Sequence, residues 1–469
     1  MKISYISGAV GDGAATLVRF IPRDQRAKLA PPISEAEFSG ETNALLHLRH
    51  ENILLAGLGE RANLQHGRGF RSAAGAAAAF LKKIGRAQAE MNLEDWPQFV
   101  REAVEGAILA DYRFDRFKTK KSAPLEKLTI SVLPEDLAAA KRAGARGATI
   151  GEAANLAREI GNQPGNLLYP ETLAARLVKM AREFNLAATV FDEKKLLAGG
   201  FGGLIAVGQG SARPPRLIVL THNGGAKGEP PIALVGKAIT FDTGGISIKS
   251  AEHMEEMIFD KCGGMAVLGA MAAISELKIK RNVVGIIASA ENMPGSSAYR
   301  PGDIVTAYGG KHIEIINTDA EGRVVLADAI SYARKDCKAV AIIDLATLTG
   351  ACCVALGEHA AGLWSSDEAF GRAVLAASEK AGERLWPMPL YSEYEDQIKS
   401  DVALIKNSAG RMGGACTAAA FLKTFAGDTP WAHLDIAGVA YRERDRADLA
   451  RGATGFGVRT LVELVADWK

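Results

Sequence analysis

The chain predicts an α/β protein of two domains: a smaller N-terminal α/β domain and a larger C-terminal domain with a mainly parallel central sheet covered by helices. Three observations carry this. At 469 residues the chain is too long for one ordinary core. Beyond Pro170, helix-like segments alternate with short apolar runs, the pattern of a sheet covered on both faces. Charged residues too embedded in apolar sequence to be casual surface groups fall at or just beyond the ends of those runs, where open α/β sheets build their sites.

The expected domains are residues 1–137, a connecting helix and linker at 138–164, and 165–469. In the first, Asn52–Leu58 is a short apolar run, and Phe70–Ile84 and Gln98–Tyr112 carry apolar residues at helical spacing. The basic run Lys118–Lys121 leads to Pro124, which ends the helix in an exposed turn, and Lys127–Leu133 alternates like a strand. Ala138–Ile160 is alanine-rich and helical up to Gly161-Asn-Gln-Pro164. In the third, strands are expected at Ala188–Phe191, Leu217–Thr221, Ile232–Val235, Val283–Ser289, Ile313–Ile316, Ala339–Leu345 and His433–Asp435. Helices intervene at Glu171–Phe184, Met265–Leu277, Val324–Lys335, Asp367–Gly382 and Gly414–Phe425.

The chemistry concentrates in three segments. Asn317-Thr-Asp-Ala-Glu-Gly-Arg323 follows an apolar run, and strand-like spacing would point Asp319, Glu321 and Arg323 the same way. Two carboxylates that close repel unless something positive lies between them, and a divalent metal is the usual solution. The alternative is a polar loop capping a helix that starts near Arg323. Upstream, Ile232–Lys249 runs from a strand into a glycine turn with Lys237, Asp242 and Lys249 in apolar surroundings, where an unpartnered charge costs several kcal/mol. Met257-Ile-Phe-Asp260 adds a fourth carboxylate before a further helix. Four carboxylates and one amine are a plausible ligand set for two divalent ions. No two histidines stand at metal-ligand spacing.

These residues resemble the leucyl aminopeptidase (cytosol aminopeptidase) family of M17-type metallopeptidases, whose signature Asn-Thr-Asp-Ala-Glu-Gly-Arg stands unaltered at Asn317–Arg323. Gly236–Lys249, Glu291–Pro294, Tyr299–Asp303, Ala346–Gly350, Trp431–Gly438 and Gly452–Arg459 are similar to family segments as well. The likeness runs from Asn162 to the C-terminus and is looser over the first 150 residues. It implies a catalytic C-terminal domain in which Lys237, Asp242, Asp260 and Glu321 hold one metal and Asp242, Asp319 and Glu321 the other. It further implies that Lys249 polarises the scissile carbonyl and that Arg323 holds a bicarbonate-like anion. Met257, Thr347 and Gly350 would wall the pocket for the first side chain. Alternatives stay open: Lys237 as a salt bridge to the carboxylates, Lys249 as a solvated loop lysine, Arg323 as a helix residue paired to Glu321. The sequence departs from the family in one extra residue between Arg323 and Ala346, and in Lys261, where Met is commoner. His253, His312 and His433 are not expected as ligands.

The function this implies is a metal-dependent aminopeptidase that removes N-terminal residues, apolar ones such as leucine, from short peptides. Manganese or zinc would serve, and magnesium or cobalt also suits oxygen-plus-amine ligation. The alternatives are a dipeptidase specialist such as a cysteinylglycine hydrolase, and a nucleic-acid-binding accessory protein on the same scaffold. The resemblance also implies a homohexamer. A formal net charge of +2 gives no reason to expect nucleic acid or an anionic membrane as an obligatory partner. No apolar run reaches membrane-spanning length, and Met1–Ser7 lacks the core of a signal peptide. Five scattered cysteines argue against a disulfide framework, so a cytoplasmic protein is expected. Val235-Gly-Lys237 lacks the preceding glycine and following hydroxyl of a phosphate loop, and Gly208-Gln-Gly210 lacks the third glycine of a dinucleotide site.

Overall fold

The computed structural model describes residues 1–8, 15–29, 32–64 and 67–468, which divide into two compact units. The first takes in Met1–Asn155 together with Lys380–Gly382 and Arg442–Thr454. Its six-stranded sheet runs in the order Lys2–Ser7, Lys127–Val132, Gln88–Asn92, Thr16–Pro22, Ile53–Gly59 and Leu45–Leu48. All neighbours are parallel except the last pair. The helices Arg68–Lys83 and Val100–Asp111 lie at the two stretches where apolar residues recur at helical spacing. Phe70 anchors their core, stacked on Phe99 at 5.1 Å and tilted against Phe20 at 4.5 Å. In the basic turn, Lys121 Nζ donates to the carbonyls of Asp115 and Arg116. From the far end of the sequence, Asp448 accepts a hydrogen bond of 2.7 Å from Ser72 Oγ and so belongs to this unit.

The second unit takes in Leu156–Glu379, Glu383–Tyr441 and Gly455–Lys469. Its eight-stranded sheet has the order Leu385–Pro387, Ala361–Ser365, Trp431–Asp435, Ala341–Ala346, Ile232–Asp242, Asn282–Asn292, Arg216–Asn223 and Ala187–Phe191. The four middle strands are mutually parallel. Antiparallel pairs appear only toward the margins. The parallel strands are buried on both faces, as their continuous apolar runs require. One face packs Val235, Ile286 and Ala288 against Val324 and Ile330 of the helix Glu321–Lys335 and Phe421 of Gly414–Ala426. Against the other lies Cys262–Glu276, where a Cβ on Gly236 would come within 2.5 Å of Gly264 Cα. Only glycine on both sides allows that approach of sheet and helix. Met254–Glu276 is apolar enough over 18 residues to cross a bilayer, but that window is mostly buried inside the unit.

One expected strand is reassigned. Ile313–Ile316 does not join the central sheet. His312–Glu314 is a three-residue strand in a separate small sheet with Ile304–Thr306 and Ile405–Lys406. Residues 317–320 then form a turn and Glu321 opens a helix, so Asp319, Glu321 and Arg323 do not follow one strand. The loop is held because Asn317 Oδ1 accepts from Asp319 N at 2.9 Å, a local side-chain bond that competes with strand pairing.

The connection between these elements depends on a buried carboxylate. Asp328, fully buried, accepts from Leu204 N at 2.8 Å and Tyr308 N at 2.7 Å. Asp328→Ala leaves both donors without their acceptor, and each costs about 1–3 kcal/mol. A fall in the urea unfolding midpoint is the expected outcome, and an unchanged midpoint would show that these bonds contribute nothing net.

Candidate metal centre

The middle strand Ile232–Asp242 supplies two of the predicted groups, and its geometry explains how both can serve one site. Lys237 and Asp242 are five residues apart and would point to opposite faces of a regular strand. Between the pairs Ile239↔Ala290 and Asp242↔Asn292, however, this strand carries one residue more than its neighbour. The bulge reverses the alternation and turns Asp242 to the side of Lys237. A second device sits on the helix opening at Glu321. A Cβ on Gly322 would lie 2.6 Å from Lys237 Cε, so the glycine between Glu321 and Arg323 is the gap through which the lysine reaches its partners.

The charged groups meet in a tight network. Lys237 Nζ lies 2.7 Å from Asp260, 2.8 Å from Glu321 Oε1 and 3.0 Å from the carbonyl of Thr347. Lys249 Nζ lies 2.9 Å from Asp242 Oδ2 and also contacts Asp319 Oδ1. Asp242, Asp319 and Glu321 each offer a carboxylate oxygen within 4.8 Å of the others. Asp260 stands slightly apart and accepts from Thr347 Oγ1 at 2.6 Å. All seven charged residues singled out by sequence line one cavity of about 540 Å³, and Met257, Thr347 and Gly350 line it too.

Charge balance sets the protonation. Four carboxylates face two ammonium groups, all largely out of water. Burial, followed by repulsion from Asp242, pushes Glu321 up to about 8. Burial pushes Asp260 up to about 6 and raises Asp319. For Lys237 and Lys249 burial pulls the other way, yet the surrounding carboxylates together hold both above the usual lysine range. Burial lowers Arg323 to about 10. This is a site rich in hard oxygen donors, whose carboxylates crowd one another enough to hold a proton. Among the described residues no hydrogen-bond donor reaches the buried Glu321 Oε2, which fits a cation ligand better than a structural carboxylate.

Supporting groups surround the network that the sequence alone does not single out. Thr318, fully buried, ties the two loops together: its N–H donates to Ser247 Oγ, its hydroxyl to Gly244 O, and its Oγ1 accepts from Ser247 N. Its carbonyl accepts from Tyr299 Oη at 2.9 Å and Asn292 Nδ2 at 3.0 Å. Asn292 Nδ2 also donates to Asp242 Oδ1 at 2.8 Å. Asn407 accepts from Ile316 N and Asn317 N, donates to Asn317 O, and its own carbonyl accepts from Arg323 Nη1. Asn292 and Tyr299 lie in segments that share the family likeness, whereas nothing around Asn407 marks it in sequence.

Comparison with known proteins identifies the family. Residues 155–462 match the family model "Cytosol aminopeptidase family, catalytic domain", and residues 11–121 match that family's N-terminal domain. A "Probable cytosol aminopeptidase" of Syntrophotalea carbinolica is 47% identical over 424 residues, 88% of this chain and 85% of that protein. One of the same description from Solibacter usitatus is 45% identical over 457 residues, covering 95% and 94%. Among solved structures, the bottromycin maturation enzyme BotP in complex with Mn superposes with a TM-score of 0.85 at 34% identity, over 96% of this chain and 99% of that one. The chain belongs to the cytosol aminopeptidase family.

The position of Asn407 generates a test independent of catalysis. Asn407→Ala removes the acceptor for two backbone donors of the 316–317 segment and the donor to Asn317 O. A loss of about 2–4 kcal/mol in unfolding free energy is expected from these unsatisfied buried groups, read from denaturant melts. A loss below about 0.5 kcal/mol, the scale of neutral surface changes, would show that the loop holds its shape unaided.

Proposed function

We propose that this aminopeptidase uses two divalent metal ions to release N-terminal residues, apolar ones such as leucine among them, from short peptides. The observation that carries the reading is the convergence of Asp242, Asp319 and Glu321, with ligand oxygens within 4.8 Å, beside the Lys237–Asp260 pair. Lys237, Asp242, Asp260 and Glu321 would hold one ion, and Asp242, Asp319 and Glu321 the other. Manganese or zinc suits this donor set, and magnesium or cobalt is compatible with it. When bound, such ions supply Lewis acidity, lowering the pKa of a water and polarising a carbonyl.

The remaining roles fall to the chain itself. Lys237 acts as a ligand only as the neutral amine, so loading the site removes a proton that the carboxylates now hold tightly. Lys249, 25% exposed at its side chain, is near enough to Asp242 and Asp319 to donate to the carbonyl oxygen of a peptide beside them. There it stabilises the negative charge that develops during attack. Among the described residues Arg323 Nε is buried without a hydrogen-bond partner while Nη1 is fixed on the Asn407 carbonyl, an arrangement that would suit a bicarbonate-like anion able to accept a proton. Met257, Thr347 and Gly350 border the first side chain. A free α-amine is itself a metal ligand, which favours cleavage of the first bond over internal ones.

Cytoplasmic residence and a homohexamer complete the proposal. Val354, Met412 and Val402 are 89%, 84% and 70% exposed in the catalytic unit, large apolar surfaces that self-association would cover. A homohexamer predicts light scattering at six times the chain mass. A fully active monomer would count against it.

Metal ligation and carbonyl polarisation separate by substitution. Asp242→Ala is expected to lose both ions from the dialysed protein along with nearly all activity. Lys249→Ala is expected to keep two metals per chain while turnover drops by roughly 10²–10³-fold, the size of losing one oxyanion donor. Two metals and normal turnover in Asp242→Ala would overturn the ligand assignment, and metal loss in Lys249→Ala would make that lysine structural.

A further inference from the structure

The cavity holds a fifth carboxylate that the metal centre does not use. Glu256 lies in the short 3-10 helix Met254–Phe259, directly before Met257, and both residues line the cavity. Its Oε2 accepts from Tyr441 Oη at 2.8 Å. The Tyr441 ring is stacked on Phe259 at 4.8 Å with planes 8° apart, so the hydroxyl approaches from a fixed direction. The Glu256 side chain is 18% exposed, and among the described residues no lysine or arginine nitrogen lies within 4.0 Å of it. His253 Nδ1 is 3.7 Å away, but that side chain is 61% exposed and is no fixed counter-ion. A carboxylate offers about four acceptor positions, and one tyrosine hydroxyl fills one of them.

We propose that Glu256 is a specificity-determining residue that lets the site accept a basic first residue, lysine or arginine, as well as apolar ones. The inference rests on the aminopeptidase reading above and names part of its substrate class. A lysine or arginine side chain is an apolar stem with a charged head. The stem runs along Met257 as leucine would, and the head meets the one carboxylate in the cavity not committed to Lys237, Lys249 or a metal. Partial burial makes such a pair stronger than an exposed one, and Tyr441 limits the rotamer freedom lost on binding.

The test compares leucyl and lysyl arylamides on the metal-loaded full-length protein. Glu256→Gln keeps the shape and the tyrosine bond but removes the charge. It is expected to lower the lysyl-to-leucyl ratio of kcat/KM by on the order of 10- to 100-fold, mainly through KM, as for loss of a hydrogen bond to a charged group. Tyr441→Phe removes the bond that holds the Glu256 carboxylate in place and is expected to lower the same ratio by a smaller factor. A ratio unchanged within about twofold in both variants, or a wild type that cleaves leucyl but not lysyl substrate, overturns the inference. Failure to cleave either arylamide with manganese or zinc present would instead overturn the aminopeptidase reading itself.

Discussion

The catalytic unit is organised around one electrostatic constraint: four carboxylates are drawn into a largely dry pocket against two ammonium groups. Burying an unbalanced set of charges is among the costliest things a fold can do. The surrounding architecture spends its most specific features on making it bearable. Thr347 Oγ1 and the Gly244 and Asn292 donors satisfy oxygens of Asp260 and Asp242. The parallel strands deliver their C-terminal ends to the same place, so Asp242, Asn292, Thr347 and Asp435 all arrive from neighbouring strands. Positioning of this kind leaves the cluster as a ready receptor for cations of higher charge.

Much of this is legible in sequence, and for physical reasons. A buried strand cannot carry unpaired charges, so Lys237 and Asp242 in an apolar run announce a partner even before the partner is known. Two carboxylates separated by one residue do the same at Asp319 and Glu321. The alternation of apolar runs and helices gives the covered sheet, because that pattern has few other ways to bury both faces. These inferences work because the signal is local: charge in an apolar run, or a spacing of two residues.

What sequence does not disclose is non-local. The extra residue in Ile232–Asp242 exists only relative to Asn282–Asn292, and no inspection of one strand alone exposes it. The strand-like reading of Asp319, Glu321 and Arg323 fails for a related reason. The Asn317–Asp319 bond that starts the turn is local, but the latch that fixes it, Asn407, lies ninety residues downstream of Asn317. Glu256 is silent for the opposite reason: a charged residue in a short helix with no buried residue looks like any solvated side chain until Tyr441 is found bonded to it.

The first unit has a consequence for how the protein is born. It is closed by residues 442–454, which leave the ribosome only after nearly all of the second unit, and Asp448 is the acceptor for Ser72. Domains made early on the ribosome commonly fold as they emerge. Here the six-stranded sheet can form early, but the unit stays unfinished until residues 442–454 have been made. Translation therefore imposes an order: the N-terminal unit must wait, partly built, for a strip of chain that has first passed through the making of the other. Premature termination anywhere before residue 454 would damage both units at once, so truncated products carry no intact half.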